Sequence, residues 1–274
     1  MKIDQVYAMY FSATGTTRRS VLHAAQTLAQ KLGVPLREYD FTLPQMRQSF
    51  PDFGPQDFVF FALPVYAGRV PNLLRNYVCS VRAAQSPAAA LVSYGNRNYD
   101  DALVELHDIL CEGGFYVTAS AAIVGEHAFS TTLAAGRPDA DDLSLLEQWS
   151  LRIADKLAAA EDATGLSPAP SRGQRPYRYY YQPQDRHGNS IDIRKVKPLT
   201  SDVCLRCGHC IEICPMGSID ADAPAIVSGI CIKCGACIKA CPTQAKYYTD
   251  SGYLYHKQEL EEIYARYGTS EIFI

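Results

Sequence analysis

Eight of the ten cysteines stand in a ladder near the end of this 274-residue chain. It reads Cys204-x2-Cys207-x2-Cys210-x3-Cys214-Pro215, then Cys231-x2-Cys234-x2-Cys237-x3-Cys241-Pro242, with every cysteine of the second set 27 positions after its counterpart. The segment is an internal repeat. A cubane iron–sulfur cluster needs four thiolates at the corners of a small cube. Two-residue gaps let one tight loop supply three of them, and the fourth must come from elsewhere. In bacterial runs of this spacing, the fourth cysteine of each motif ligates the other cluster. Cys204, Cys207, Cys210 and Cys241 are therefore assigned to one 4Fe–4S cluster (cluster I), and Cys231, Cys234, Cys237 and Cys214 to a second (cluster II).

Competing readings of the ladder fit less well. A zinc site takes four ligands in one tetrahedron, not eight in two sets of three plus one. Disulfides belong to an oxidising compartment and an export signal, and the start Met1-Lys2-Ile3-Asp4-Gln5 has no signal-peptide anatomy. Gly208 and Gly235 fall inside the ligand loops, where the backbone must bend sharply. The prolines after Cys214 and Cys241 stop a helix there. The stretch from about 200 to 250 resembles the two-cluster bacterial ferredoxins.

Length allows one sizeable domain and one small one. A fifty-residue cluster-binding unit builds little core and leans on its inorganic clusters for stability. The net charge of −3 is too small to point to nucleic acid, and no apolar run is long enough for a membrane span. A cytoplasmic, reducing and anaerobic setting is expected. Cys79 and Cys111, outside the ladder and in predicted helices, read as ordinary buried thiols.

The N-terminal stretch has another rhythm. Gln5 to Phe11 is a short apolar run typical of a strand buried on both faces. It leads into Ser12, Ala13, Thr14, Gly15, Thr16 and Thr17, and then a helical stripe of Val21, Ala25, Leu28 and Leu32 ending at Gly33. A hydroxyl-rich loop between a strand and a helix N-terminus aims backbone N–H groups and the helix dipole at an anion. The fingerprints of nucleoside triphosphate and dinucleotide sites are missing. The loop resembles the phosphate loop of flavodoxins, Ser/Thr-x-Thr-Gly-x-Thr, matched by Ser12, Thr14, Gly15 and Thr17. That resemblance implies FMN. Arg18 and Arg19 read as a solvated helix face.

Further strands are predicted at 35–41, 57–63, 88–93 and 115–125, with helices near 71–85, 97–112 and 140–161. This alternation predicts a flavodoxin-like doubly wound α/β fold, a parallel sheet of order 2-1-3-4-5, with a small C-terminal α+β two-cluster ferredoxin domain. Ligands of such sheets bind at the carboxyl ends of strands one and three, where the winding reverses. The loop after strand three holds Pro64, Val65, Tyr66, Ala67 and Gly68; that after strand four holds Ser93, Tyr94, Gly95, Asn96, Arg97, Tyr99 and Asp100. Tyrosines to stack on and glycines for close approach are what a flat ring needs, and both loops look like the flavin-ring loops of flavodoxins. After strand five, His127 is either a proton donor near a flavin or a locally satisfied loop histidine.

Residues 1–164 carry 13 Lys/Arg against 18 Asp/Glu, while 165–199 carry 7 against 2 with interleaved tyrosines and prolines. The segment 164–199 reads as an ordered linker whose tyrosines pack on the first domain, between an FMN-binding domain at 1–163 and a ferredoxin domain at 200–250. The tail 251–274 is expected to form a short helix, with Leu260, Ile263, Tyr264 and Tyr267 as its stripe. As a whole the chain resembles the flavodoxin–ferredoxin fusion proteins of anaerobes, which implies an electron-transfer flavoprotein exchanging electrons with a redox protein partner or a small electron acceptor. Two other readings stay open: an FMN-dependent reductase of a quinone or nitro compound fed through the clusters, and a flavin-free flavodoxin-like module that docks a ferredoxin.

Overall fold

The computed structural model describes residues 1–274. Five strands alternate with helices along the first part of the chain: β1 (Gln5–Tyr10), α1 (Thr16–Leu32), β2 (Leu36–Asp40), β3 (Asp57–Pro64), α2 (Arg75–Val78), β4 (Pro87–Tyr94), α3 (Ala102–Glu112), β5 (Tyr116–Val124) and α4 (Ala140–Ala159). The cysteine-rich part adds β6 (Leu199–Thr200), α5 (His209–Glu212), α6 (Ala236–Lys239), β7 (Lys246–Tyr247), α7 (Ser251–Ile263) and β8 (Glu271–Phe273).

The main sheet runs β2-β1-β3-β4-β5-β8, and its first five strands are parallel. That is the flavodoxin-like order. Strand alternation splits its core in two. Tyr7, Met9 and Phe11 point to the face covered by α2 and α3, while Val6, Ala8 and Tyr10 meet α1 and α4. Phe58, Phe60, Phe61 and Trp149 are fully buried, each contributing about 2–3 kcal/mol of apolar burial. Asp139 and Asp142 form a capping box that starts α4, and Gly33, left-handed at φ 68°, ends α1.

The chain departs from its sequence pattern in four places. Residues 71–85 keep their buried anchors Leu74, Val78 and Val81 but form only one regular turn, α2. The next helix starts at Ala102 rather than near 97, because residues 94–100 are drawn into loop contacts described below. In α7 the buried side is Tyr253, His256 and Leu260, and Ile263 and Tyr267 are exposed. Cys111 is exposed and Cys79 half-buried, so neither is the buried thiol its helical context implied.

The largest addition is β8. It pairs antiparallel with β5, Ser120 opposite Phe273 and Ala122 opposite Glu271, and gives the sheet a sixth strand. Between α4 and β6, the basic, Tyr-rich stretch lies on the first part of the chain. Tyr177 donates to Asp108, Tyr180 to the Val70 carbonyl, and the Tyr181 amide to the Ala67 carbonyl. Tyr179 alone of that run stands free. No helix is long and apolar enough to cross a membrane.

Candidate functional site

The cysteines of the ladder line two hollows. Cys204, Cys207, Cys210 and Cys241 surround one, and Cys214, Cys231, Cys234 and Cys237 surround another. The sulfurs ring these spaces instead of meeting at a point, and no three His, Cys, Asp or Glu side chains converge tightly enough for one ion. A multi-iron cube, with a thiolate at each of four corners, fits such a ring.

The sequence repeat is also a backbone repeat. Arg206 and Lys233 are left-handed at φ 52° and 55°, and Gly208 and Gly235 at 78° and 76°. The same bends aim the same amides at sulfur. Arg206 N donates to Cys204 Sγ and Lys233 N to Cys231 Sγ, both at 3.4 Å. Ser218 N reaches Cys214 Sγ at 3.4 Å and Ala245 N reaches Cys241 Sγ at 3.2 Å. Such N–H···S bonds stabilise thiolate charge and tune cluster potential. Burial pushes the Cys234 and Cys237 thiols up to about 12, so these sulfurs ionise only as iron binds and displaces their protons.

The loop predicted to hold a phosphate lies between β1 and α1. Gly15 caps α1 with φ 85°, Ser12 Oγ accepts from the Arg18 amide at 3.0 Å, and the Ser12 amide donates to Thr42. The amides of Ala13, Thr14, Gly15, Thr16 and Thr17 donate to no group in the chain. Thr14 and Gly15 are exposed, and the space where a Gly15 side chain would sit is open. Five consecutive free donors at the start of a 17-residue helix fit a phosphate monoester. Arg18 takes no part; it pairs with Glu38 and Tyr10.

The loops after β3, β4 and β5 converge beside it. Thr16 touches Gly125, and Gly95 touches the His127 ring, so closely that a Cβ on either glycine would collide. Ser93, at the end of β4, has a buried hydroxyl with no partner, while its carbonyl accepts from the Val65 amide at 2.8 Å. After β3, Tyr66 and Arg69 exchange backbone hydrogen bonds, which shapes Pro64, Val65, Tyr66, Ala67 and Gly68 into a tight turn. Buried Glu105 on α3 holds that turn through Arg69, at 2.7 and 2.8 Å, and through the Val70 amide.

The loop after β4 divides its tasks. Tyr94 donates to the Thr269 carbonyl, Tyr99 to Glu271, and Asn96 Nδ2 to the carbonyls of Tyr264 and Arg266. Arg97 pairs with Asp100, which lies against Gly68 of the β3 loop, and stacks on the Tyr181 ring, 4.3 Å from its centroid. Tyr94, Asn96 and Tyr99 thus hold the returning C-terminal segment, and Arg97 the 164–199 stretch. His127 has a local partner too. Its Nδ1 accepts from the Phe129 amide at 3.1 Å, and burial, aided by His256 and Lys239, pushes it down to about 4. At neutral pH it is an uncharged imidazole with its proton on Nε2.

Sequence reasoning missed how the two parts meet. The 231–237 ligand loop sits on the β3 and β5 loops. Ile232 packs on the core face that also takes Val65 and Tyr66, and Gly235 lies against the Ala128 carbonyl. Lys239 Nζ reaches Glu126 at 2.5 Å and the His127 carbonyl at 2.8 Å. Arg47 Nη2 donates to the Pro215 carbonyl at 2.5 Å. Tyr66 is half-buried at this contact, its hydroxyl held well above its usual range by burial and by nearby Cys234 and Cys231. Cluster II thus faces the convergence of loops, and the 27-residue repeat is the only sequence signal that bears on the contact, by making its one-sidedness visible.

Residues 197–242 match the family described as the 4Fe-4S dicluster domain. No curated protein matches the chain. Among solved structures, the chain is similar to the flavodoxin of Streptococcus pneumonia TIGR4, at 17% identity over 56% of this chain and 99% of that one, TM-score 0.40. Flavodoxin 2 from Bacillus cereus gives 16% identity over 56% and 99%, TM-score 0.40. An NADH:FMN oxidoreductase in apo form gives 14% over 60% and 95%, TM-score 0.41. A flavodoxin-like sheet joined to a two-cluster 4Fe–4S domain makes a redox protein.

Proposed function

We propose that this chain relays electrons between its two 4Fe–4S clusters and an FMN bound at the carboxyl edge of the sheet. The clusters supply one-electron transfer and a bound flavin one- or two-electron transfer, so together they couple single-electron carriers to two-electron chemistry. The observation that carries the reading is the docking of the cluster II ligand loop, through Ile232, Gly235 and Lys239, on the loops that end β3 and β5.

In this reading the amides of residues 13–17, with Ser12, Thr14, Thr16 and Thr17 around them, hold the phosphate. Ser93 Oγ and the backbone at Gly95 and Tyr66 serve the ring end. Tyr66 fills the space towards Cys231 and Cys234 and keeps water out of it. The Lys239–Glu126 pair fixes the ligand loop against the β5 loop, and a neutral His127 adds no charge there. Residues 1–163 act as the FMN unit and 200–250 as the cluster unit, with 164–199 and 251–274 tying them together. The uncharged, locally bonded His127 gives no support to a reductase that uses it as an acid.

Protein purified without oxygen should contain about eight irons and one FMN per chain. In rapid reduction by dithionite, flavin should bleach through the clusters, and Cys234→Ser should slow flavin bleaching sharply while leaving flavin bound. Equal flavin rates in that variant, or protein that stays flavin-free in excess FMN, would reject the relay.

A further inference from the structure

The two halves of the cysteine repeat have one backbone and two environments. Ile232, Gly235 and Lys239 of the second half meet the sheet loops, and no such contact is made by their counterparts 27 residues earlier, Leu205, Gly208 and Glu212, the last of which faces His209 of its own loop. Cys234 is 9% exposed, whereas Cys207 is among the exposed cysteines. A Cβ on Gly235 would strike the Ala128 carbonyl; a Cβ on Gly208 would enter open space. Ile232 is packed on the core of the sheet, but Leu205, its counterpart, is 70% exposed beside the hollow of cluster I. Val203, next to Cys204, is 55% exposed, as is its counterpart Ile230 at 62%, so the difference between the halves lies at Leu205. A large apolar side chain standing bare beside a redox centre marks a surface that is covered at times.

Charge says what covers it. Lys239 anchors the second half to Glu126, and the residue at the same place in the first half is an acid, Glu212, with its side chain 77% exposed. Close by in sequence, Asp202 and Asp222 are exposed and Asp220 is half-exposed, and Arg206 sets its guanidinium on the Asp222 carbonyl, while Lys246, which lines the hollow, is buried with its ammonium on the Pro224 carbonyl. The first half thus repeats the shape of the docked half with the sign of its anchor reversed. Its complement carries bases where the β5 loop carries Glu126.

We propose that the cluster I face docks a one-electron carrier protein whose own redox centre lies in an apolar patch with a basic rim. One electron passes between that centre and cluster I, the one being oxidised as the other is reduced. Leu205 and Val203 form the dry centre of the contact and Glu212, Asp202 and Asp222 its steering rim. This face would be the outer port of a relay whose inner port is cluster II, and in that respect it rests on the function proposed above.

The test uses the full-length protein, reduced anaerobically, with mitochondrial cytochrome c as the probe, a small haem protein with a lysine-rich rim. Its second-order reduction should slow as salt rises, and Glu212→Lys should slow it about tenfold at low ionic strength. Leu205→Ser should slow it at all salt concentrations. Iron content and cluster spectra identify any variant that has lost a cluster, and the milder Glu212→Gln then stands in for Glu212→Lys. A rate indifferent to salt, Glu212 and Leu205 overturns the docking face, even where clusters and flavin equilibrate normally. Failure of that equilibration in the unaltered protein, with the salt and Glu212 effects present, overturns the relay and leaves the face established.

Discussion

Arg47 brings a positive charge into the seam between the two parts with no carboxylate to meet it. Its Nε donates to the Phe41 carbonyl at 2.9 Å, its Nη2 to the carbonyls of Thr42 and Pro215, and its guanidinium lies 5.5 Å from the centre of the Phe11 ring. Burial lowers its pKa, but a guanidinium keeps its charge at any pH a protein tolerates. Pro215 follows Cys214, a ligand of cluster II, so this charge stands near the cluster and far less screened than a surface charge would be. Reduction adds negative charge to a cluster, and a fixed cation nearby favours it. Replacing Arg47 by Met should lower the potential of cluster II by some tens of millivolts, roughly one kcal/mol of lost charge stabilisation, and leave cluster I where it was. Arg47→Lys should recover part of the difference. An anaerobic redox titration followed by EPR reads both clusters, and unchanged potentials in Arg47→Met would remove the residue from this role.

At the scale of elements, the two ligand loops form a controlled comparison. Gly208 and Gly235 cap α5 and α6 with nearly equal left-handed φ, 78° and 76°. Alanine at either place incurs the same left-handed penalty, about 1–2 kcal/mol. Only at Gly235 does the added methyl meet the Ala128 carbonyl. Gly208→Ala should therefore lower stability modestly and leave the two parts docked. Gly235→Ala should lower it further, and hydrogen exchange should speed up at 125–129 and in α6. Matching losses and matching exchange would show that the contact contributes nothing. The same loops mark how far the sequence was legible. Cysteine spacing dictates backbone bends within a few residues, and the buried apolar runs dictate strands, so the cluster loops and the order of β1 to β5 could be read directly. That Tyr94, Asn96 and Tyr99 clasp the returning C-terminal segment was not legible, because a Tyr- and Gly-rich loop looks alike whether or not it holds such a segment. Strand β8 left no signal, since Glu271-Ile272-Phe273 is too short for a pattern and its partner lies about 150 residues away in sequence.

For the whole molecule, β8 changes what the cysteine-rich part is. Its entry side is fastened by the Tyr177–Tyr181 contacts. On its exit side the chain returns to the first sheet, where Asn96 takes the carbonyls of Tyr264 and Arg266, Arg137 that of Gly268, and Trp149 that of Phe273. Ser270 Oγ accepts from the Val124 amide at 3.0 Å and donates to Asp142 at 2.5 Å. Being tied at both ends holds cluster II against the sheet loops at a high effective concentration, so the small contact of Ile232, Gly235 and Lys239 stays formed. β8 also covers the β5 edge, which would otherwise offer unpaired backbone groups to other chains. A chain ending at Gly268 loses that cover, the Phe273 carbonyl that Trp149 donates to, and the Ser270 hydroxyl that bonds Asp142 and the Val124 amide. Each kcal/mol lost is worth about 2–4 °C for a chain of this size, and the lost hydrogen bonds contribute roughly 1 kcal/mol apiece, so the melting temperature should fall by about 5–10 °C. Electron exchange between cluster II and flavin should slow as well, because the exit tether would be gone while every ligand remained. Calorimetry and stopped-flow spectroscopy on the shortened chain measure the two effects separately: an unchanged transfer rate beside a lowered melting point would mean that β8 serves stability alone, and no change in either would mean that the closure of the chain holds nothing in place.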